Sequence, residues 1–160
     1  MPATIYLDVD GVLNCTKTTR HLQCASDIVF VDTRKVLRLR DIVERTGAQI
    51  VLSSTWRFGE LPNAFYTERE GLNELRQEFI RLRCPLWVDV TPYIPRAKRW
   101  KEIYAHLMVH PEIDKFVILD DVWEELLPYD DHLVVTTVKD GLTKERAELV
   151  IKMLGEKENG

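Results

Sequence analysis

The chain has 160 residues, is 45% hydrophobic and 30% charged, and carries a formal net charge of −4. That length favours a single domain able to bury a sizeable core, and the composition lies outside the disordered class. A modest acid excess argues against a protein whose main task is coating a polyanion, while leaving room for a local basic patch.

In chain order, the first predicted element is the strand TIYLD (4–8). It is followed by a polar stretch, 14–32, that lacks a helical apolar face. Residues 33–46 space Val36, Leu37, Leu39, Ile42 and Val43 as a helix, with Gly47 as its stop. A second strand, AQIVLS (48–53), leads into another long connection, 56–70. A helix over 70–83 places Leu72, Leu75, Phe79 and Leu82 on one face. The strand LWVDV (86–90) precedes a helix over 96–109, which Pro111 prevents from continuing. Two more strands, KFVILD (115–120) and HLVVTT (132–137), lead to a last helix. Thr143 is its N-cap, and Ala147, Val150, Ile151 and Leu154 face inward.

Several of these strands are continuous apolar runs, as in parallel strands covered on both faces. Their alternation with helices predicts a doubly wound α/β sheet. We expect one domain over 1–155, with 14–32 as a possible flap or small cap and 156–160 as a frayed tail. No apolar run approaches the roughly 18 residues of a membrane span. The N-terminus meets acid too early for a signal peptide. Cys15, Cys24 and Cys84 lack metal-ligand spacing, so a reducing, cytoplasmic setting is expected.

The chemistry concentrates at strand ends, where open α/β sheets bind ligands. Asp8 and Asp10 follow the first apolar run, at positions i and i+2 that point one way on a strand. A turn-capping role before Gly11 explains such a pair when it stands alone. VILDD, however, tips a second buried strand with Asp120 and Asp121. Four acids on two such strands point to a shared cation, and hard oxygen ligands suit Mg²⁺. The four histidines, His21, His106, His110 and His132, are scattered and read as surface or loop residues, so nothing points to zinc. Ser53, Ser54 and Thr55 end the second strand and offer hydroxyls and N–H groups for an oxyanion, with simple N-capping as the plainer reading. Arg96, Lys98, Arg99 and Lys101 precede a helix face. A solvated charge run is the usual reason for such a cluster, but one inward cation would suit a phosphate beside the acids.

DVDGVLN, then LSS, then a basic residue before a helix, then ILDD resembles the four ordered motifs of the haloacid-dehalogenase (HAD) superfamily, from residue 4 to about residue 150. The resemblance implies a Rossmann-like sheet in the order 3-2-1-4-5 with the site above the first strand. It also implies Asp8 as nucleophile, Asp10 as general acid/base, Ser53 on the phosphoryl group, and Asp120 with Asp121 completing a Mg²⁺ site. Asp8 and Asp10 belong to that metal set too, with the Asp10 side chain outside the first shell. STWR, RxxEI (99–103), ILDD and GLT (141–143) resemble more narrowly a small-cap branch found in multi-domain RNA-repair proteins and in phage or bacterial stand-alone proteins. The superfamily's third motif is usually Lys. Here Arg99 aligns, with Lys98 adjacent.

The expected activity is Mg²⁺-dependent phosphomonoester hydrolysis through an aspartyl-phosphate, on a phosphorylated small molecule or nucleic-acid end. Only about 45 residues separate Asp8 from Ser53, so any cap is small and the site is open. Asn14, Trp56 and Arg57 are candidate substrate contacts, with Lys17, Arg20 and Trp100 as further stacking or phosphate groups. A receiver-like module, a catalytically silent HAD platform and a two-metal nuclease remain as alternatives. No feature points to a membrane or to a strong protein partner.

Overall fold

The computed structural model describes residues 2–16 and 31–158. Most of the possible flap, with Lys17, Arg20, His21 and Cys24, therefore lies outside the described residues. The strands are β1 (Thr4–Leu7), β2 (Gln49–Leu52), β3 (Asp89–Val90), β4 (Phe116–Asp120) and β5 (Leu133–Val135). The helices are α1 (Thr33–Thr46), α2 (Tyr66–Arg81), α3 (Arg99–Val109) and α4 (Lys144–Leu154).

The strands form one parallel sheet in the order β3-β2-β1-β4-β5. β1 is thus paired on both sides, Leu7 standing in register with Leu52 and with Leu119. The continuous apolar runs follow from this placement, because alternate residues go to opposite faces and both faces are covered. Ile5, Leu7, Ile50, Leu52, Val117 and Leu119 pack on one face with buried residues of α1, α2 and α4. Tyr6, Val51 and Ile118 pack on the other with Ile103 of α3.

Element ends differ from expectation where local chemistry intervenes. α2 begins at Tyr66, four residues before the start that apolar spacing gives, because the Glu68 side chain accepts from the Phe65 N–H (2.9 Å) and closes the first turn. The six residues Thr55–Glu60 form a short 3₁₀ helix inside the segment read as a connection. β3 is only two residues long and, among the described residues, pairs only with β2, and Val88 before it is exposed. In the tail expected to fray, Arg45 of α1 pairs with Glu156, and the Lys157 N–H donates to the Arg45 carbonyl (2.8 Å). Among the described residues, no helix is long and apolar enough to cross a membrane.

Candidate active site

β1 ends at Leu7, and the next residue, Asp8, is buried at 4% exposure. Its backbone N–H donates to the Leu119 carbonyl at 3.0 Å, fixing it beside the end of β4. The chain then turns sharply. The N–H groups of Val12 and Leu13 both donate to the Val9 carbonyl, and Gly11 takes a left-handed φ of 78°. Asp10 lies in this turn and is exposed. Its direction is therefore set by turn geometry and not by the strand pleat, which corrects the i, i+2 expectation.

Asn14 and Trp56 aim the Asp10 carboxylate. The Asn14 amide donates to Oδ1 at 2.9 Å, and the Trp56 indole N–H donates to Oδ2 at 3.0 Å. Asn14 Oδ1 in turn accepts from the Gly11 N–H at 2.9 Å. Both residues, read as candidate substrate contacts, are in the structure partners of Asp10.

Asp8, Asp120 and Asp121 present carboxylate oxygens within 4.8 Å of one another. Gly11 makes room for this cluster, since a Cβ there would lie 2.3 Å from Asp121 Oδ2. Asp120 is fully buried, and its Oδ1 accepts from the Val122 N–H at 2.9 Å. Arg99, at the start of α3, reaches into the cluster. Its Nη1 lies 2.6 Å from Asp120 Oδ2 and 3.3 Å from Asp8 Oδ2. Lys98 is the exposed N-cap residue of α3, and Arg96 and Lys101 are also exposed. Of the four clustered cations, Arg99 is the one that meets the acids.

The electrostatics of the cluster are unbalanced. Burial, and then the Asp120 charge, push the Asp8 carboxyl up to about 8 against the lowering pull of Arg99. Burial also raises Asp120, while Arg99 and the Val122 N–H pull it down. Arg99 is opposed by its own burial, but the two acids outweigh that and hold it firmly protonated. Three hard carboxylates against one guanidinium could hold a divalent cation.

Ser53 lies at the end of β2 and is fully buried. Its backbone N–H donates to the Leu7 carbonyl (2.9 Å), whereas its Oγ has no hydrogen-bond partner among the described residues. An orphaned buried hydroxyl is costly unless a ligand satisfies it. Ser54, paired with Ser53 in the sequence reading, instead caps the following 3₁₀ helix, its Oγ accepting from the Trp56 N–H at 3.2 Å.

Arg57 corrects another expectation. It is 4% exposed, and its guanidinium is held by groups of the chain itself. Its Nη1 donates to the carbonyls of Ser53 (3.0 Å) and Ser54 (2.8 Å), its Nε to the Thr91 carbonyl (3.0 Å), and its Nη2 to Glu102 (2.8 Å). Glu102 also accepts from the Ile94 N–H at 3.0 Å. Arg57 is thus an internal pin that ties the Ser53–Ser54 turn to the strap before α3. The alternation of strands and helices gives no signal for such a pin. STWR and RxxEI hold its two ends, Arg57 and Glu102.

The late GLT segment buttresses the first turn. The Leu142 N–H donates to the Val12 carbonyl at 2.7 Å, and the Thr136 hydroxyl to the Gly11 carbonyl at 2.6 Å. Lys35 of α1 is buried and donates to the Asp140 carbonyl at 2.6 Å.

The histidines are less scattered than their sequence positions suggest. His106 is 3% exposed within α3, and His110 follows it on the same helix face, both meeting Asp89. The i, i+4 spacing was the available signal.

Comparison with known proteins agrees with this geometry. None of the curated proteins matches the chain. The family described as the HAD domain in Swiss Army Knife RNA repair proteins matches residues 4–147, which spans the first acidic strand, the Ser53 turn, Arg99, the second acidic strand and the first turn of α4. The chain belongs to this family of small HAD domains.

Proposed function

We propose that the chain is a Mg²⁺-dependent phosphomonoester hydrolase that works through an aspartyl-phosphate on Asp8, with phosphorylated nucleic-acid ends as its substrate class. The observation that carries the reading is the meeting of Asp8 and Arg99 beyond the end of β1, beside Ser53, whose N–H donates to the Leu7 carbonyl and whose buried hydroxyl has no partner among the described residues. An attacking carboxylate, a fixed positive clamp and a neutral hydrogen-bond donor are what phosphoryl transfer asks of a protein.

Asp8, Asp120 and Asp121 would hold the Mg²⁺, with Asp10 contributing through its backbone carbonyl. That ion, when bound, supplies positive charge that offsets repulsion between carboxylate and phosphate. The rest is the work of side chains. Asp8 attacks phosphorus, a Asp8–phosphorus bond forms, and the bond to the leaving oxygen breaks. Asp10 gives its proton to that oxygen, then takes one from the water that releases phosphate from Asp8. Asn14 and Trp56 keep it aimed for both transfers. Arg99 and the Ser53 hydroxyl, with Lys98 at the rim, hold the phosphoryl oxygens.

The family's occurrence in RNA repair proteins supports the choice of nucleic-acid ends, as does the short interval available for a cap. Three cysteines without ligand spacing fit a reducing, cytoplasmic setting. The test is a phosphatase panel of sugar phosphates, nucleotides and 3′- or 5′-phosphorylated oligonucleotides, run with Mg²⁺ and with EDTA. Mg²⁺-dependent release from an oligonucleotide end, absent in Asp8→Asn, is the expected result. Preference for a sugar phosphate would overturn the substrate class, and EDTA-resistant turnover would overturn the metal requirement.

A further inference from the structure

We propose that Asp89, His106 and His110 form a metal site of their own, for a four-coordinate dication of the zinc class, joining the edge strand β3 to α3. Asp89 Oδ2 lies 2.9 Å from His106 Nε2 and 3.4 Å from His110 Nε2. The three ligand atoms lie within 4.8 Å of one another. A tetrahedral ion with bonds near 2.0–2.1 Å separates its ligand atoms by about 3.3 Å. The His110 distance already fits, and the His106 distance needs to open by a few tenths of an ångström.

The outer partners are also in place. Metal-binding imidazoles characteristically use the other ring nitrogen for a hydrogen bond that fixes their tautomer. His110 Nδ1 is 2.8 Å from Glu112 Oε1, and His106 Nδ1 is 2.8 Å from the Tyr6 hydroxyl. With both Nδ1 atoms engaged, both Nε2 atoms lie near the same carboxylate oxygen, the two rings stacked with centroids 4.3 Å apart. The second Asp89 oxygen accepts from the Val90 N–H at 2.8 Å, which orients Oδ2 toward the histidines. Asp89 and Glu112 together balance a dication. Two imidazoles and one carboxylate leave a fourth position open, as in zinc sites that also hold water or a ligand.

The site is separate from the acidic cluster. His106 lies seven residues beyond Arg99 on α3, or about 10 Å along the helix axis. Asp89, His106 and His110 line a cleft of about 500 Å³, with Phe58, Tyr93 and Val109 among its apolar walls, and Asp8 is not part of that lining. An ion here would anchor a two-residue strand held by a single neighbour.

The test uses the full chain, stripped with chelator, and Zn²⁺ alone as titrant in calorimetry, with Co²⁺ as a spectroscopic probe. His110→Ala is the main variant, because His110 is partly exposed at the helix end and its truncation leaves the core intact. Zn²⁺ affinity should fall about a hundredfold in His110→Ala and about tenfold in Glu112→Gln. Asp120→Asn should keep it. Co²⁺ should give the intense visible bands of four-coordination in the wild type and in Asp120→Asn, but not in His110→Ala. Zn²⁺ should raise the melting temperature of the wild type and leave that of His110→Ala unchanged. Equal Zn²⁺ affinity in wild type and His110→Ala, loss of binding in Asp120→Asn alone, or no Zn²⁺ binding by the wild type would each overturn the proposal.

Discussion

Arg99 Nη1 approaches Asp120 Oδ2 to 2.6 Å, bridging the start of α3 and the end of β4. The same nitrogen lies 3.3 Å from Asp8, so a single guanidinium serves two buried acids. Arg99→Ala should therefore lower turnover by about 10²–10³, the usual cost of removing one fixed donor from a developing anion. It should also destabilise the metal-free protein by about 3 kcal/mol, because two buried carboxylates lose their counter-charge. Arg99→Lys should recover part of the activity, since a point charge replaces a fork of donors. Thermal melts and steady-state kinetics on an aryl phosphate read both effects. Wild-type turnover in Arg99→Ala would remove it from the clamp.

Asp8→Asn separates function from stability. Turnover should fall to background, because the amide cannot attack phosphorus. In EDTA near neutral pH, however, the variant should melt at a higher temperature than the wild type, because the amide removes the cost of holding protonated in the fold an acid that is ionised in the unfolded chain. A lower melting temperature in EDTA would show that the Asp8 charge is not a burden on the fold.

The pH dependence of the metal-free protein follows from the same crowding. The Asp8 carboxyl rises from an ordinary 3.8 to about 8 in the folded chain. Between those values the unfolded chain has released this proton while the folded chain retains it. The Asp8 contribution to stability therefore falls as pH rises across that window and levels off above about 8. Asp32 and Asp89 have lowered carboxyl pKa values, so they act in the opposite sense: their stabilisation is present above the unfolded pKa and lost in acid. Denaturant titrations in EDTA should show the decline in the wild type and a flatter profile in Asp8→Asn. Mg²⁺ should stabilise the wild type increasingly as pH rises through the same range.

Arg57→Ala should behave as a folding mutation. It strands a buried Glu102 carboxylate and removes donors from the Ser53, Ser54 and Thr91 carbonyls. A loss of about 3–5 kcal/mol is expected, the range for breaking a buried pair from one side. Chemical denaturation would measure it. A well-folded Arg57→Ala protein with a selective rise in KM for oligonucleotides would restore Arg57 as a substrate contact.

The sheet and its acidic tips were legible because they depend on local signals. Apolar runs such as VILD mark buried strands, and carboxylates at their ends are conspicuous because burying them is expensive. The strand order came from the resemblance and is the order of the folded sheet. Turn geometry was not legible, so the direction of Asp10 had to be seen. Nor was the fate of long polar side chains. Arg57 and Lys35 look solvent-bound in a sequence, yet both are buried against backbone carbonyls brought together by distant segments. His106 was misplaced for the same reason, since its partners Tyr6 and Asp89 come from two different strands.

The two acid-tipped strands, β1 and β4, are both interior to the sheet, each hydrogen-bonded to neighbours on either side. An edge strand under electrostatic stress can peel away and let its charges part. Interior strands have no such escape, because releasing either one means dismantling the sheet around it. The repulsion between Asp8 and Asp120 is thus held at a place that cannot open in part. Relief must come from outside the backbone, as a proton or a cation, and the resting protein remains poised to accept one.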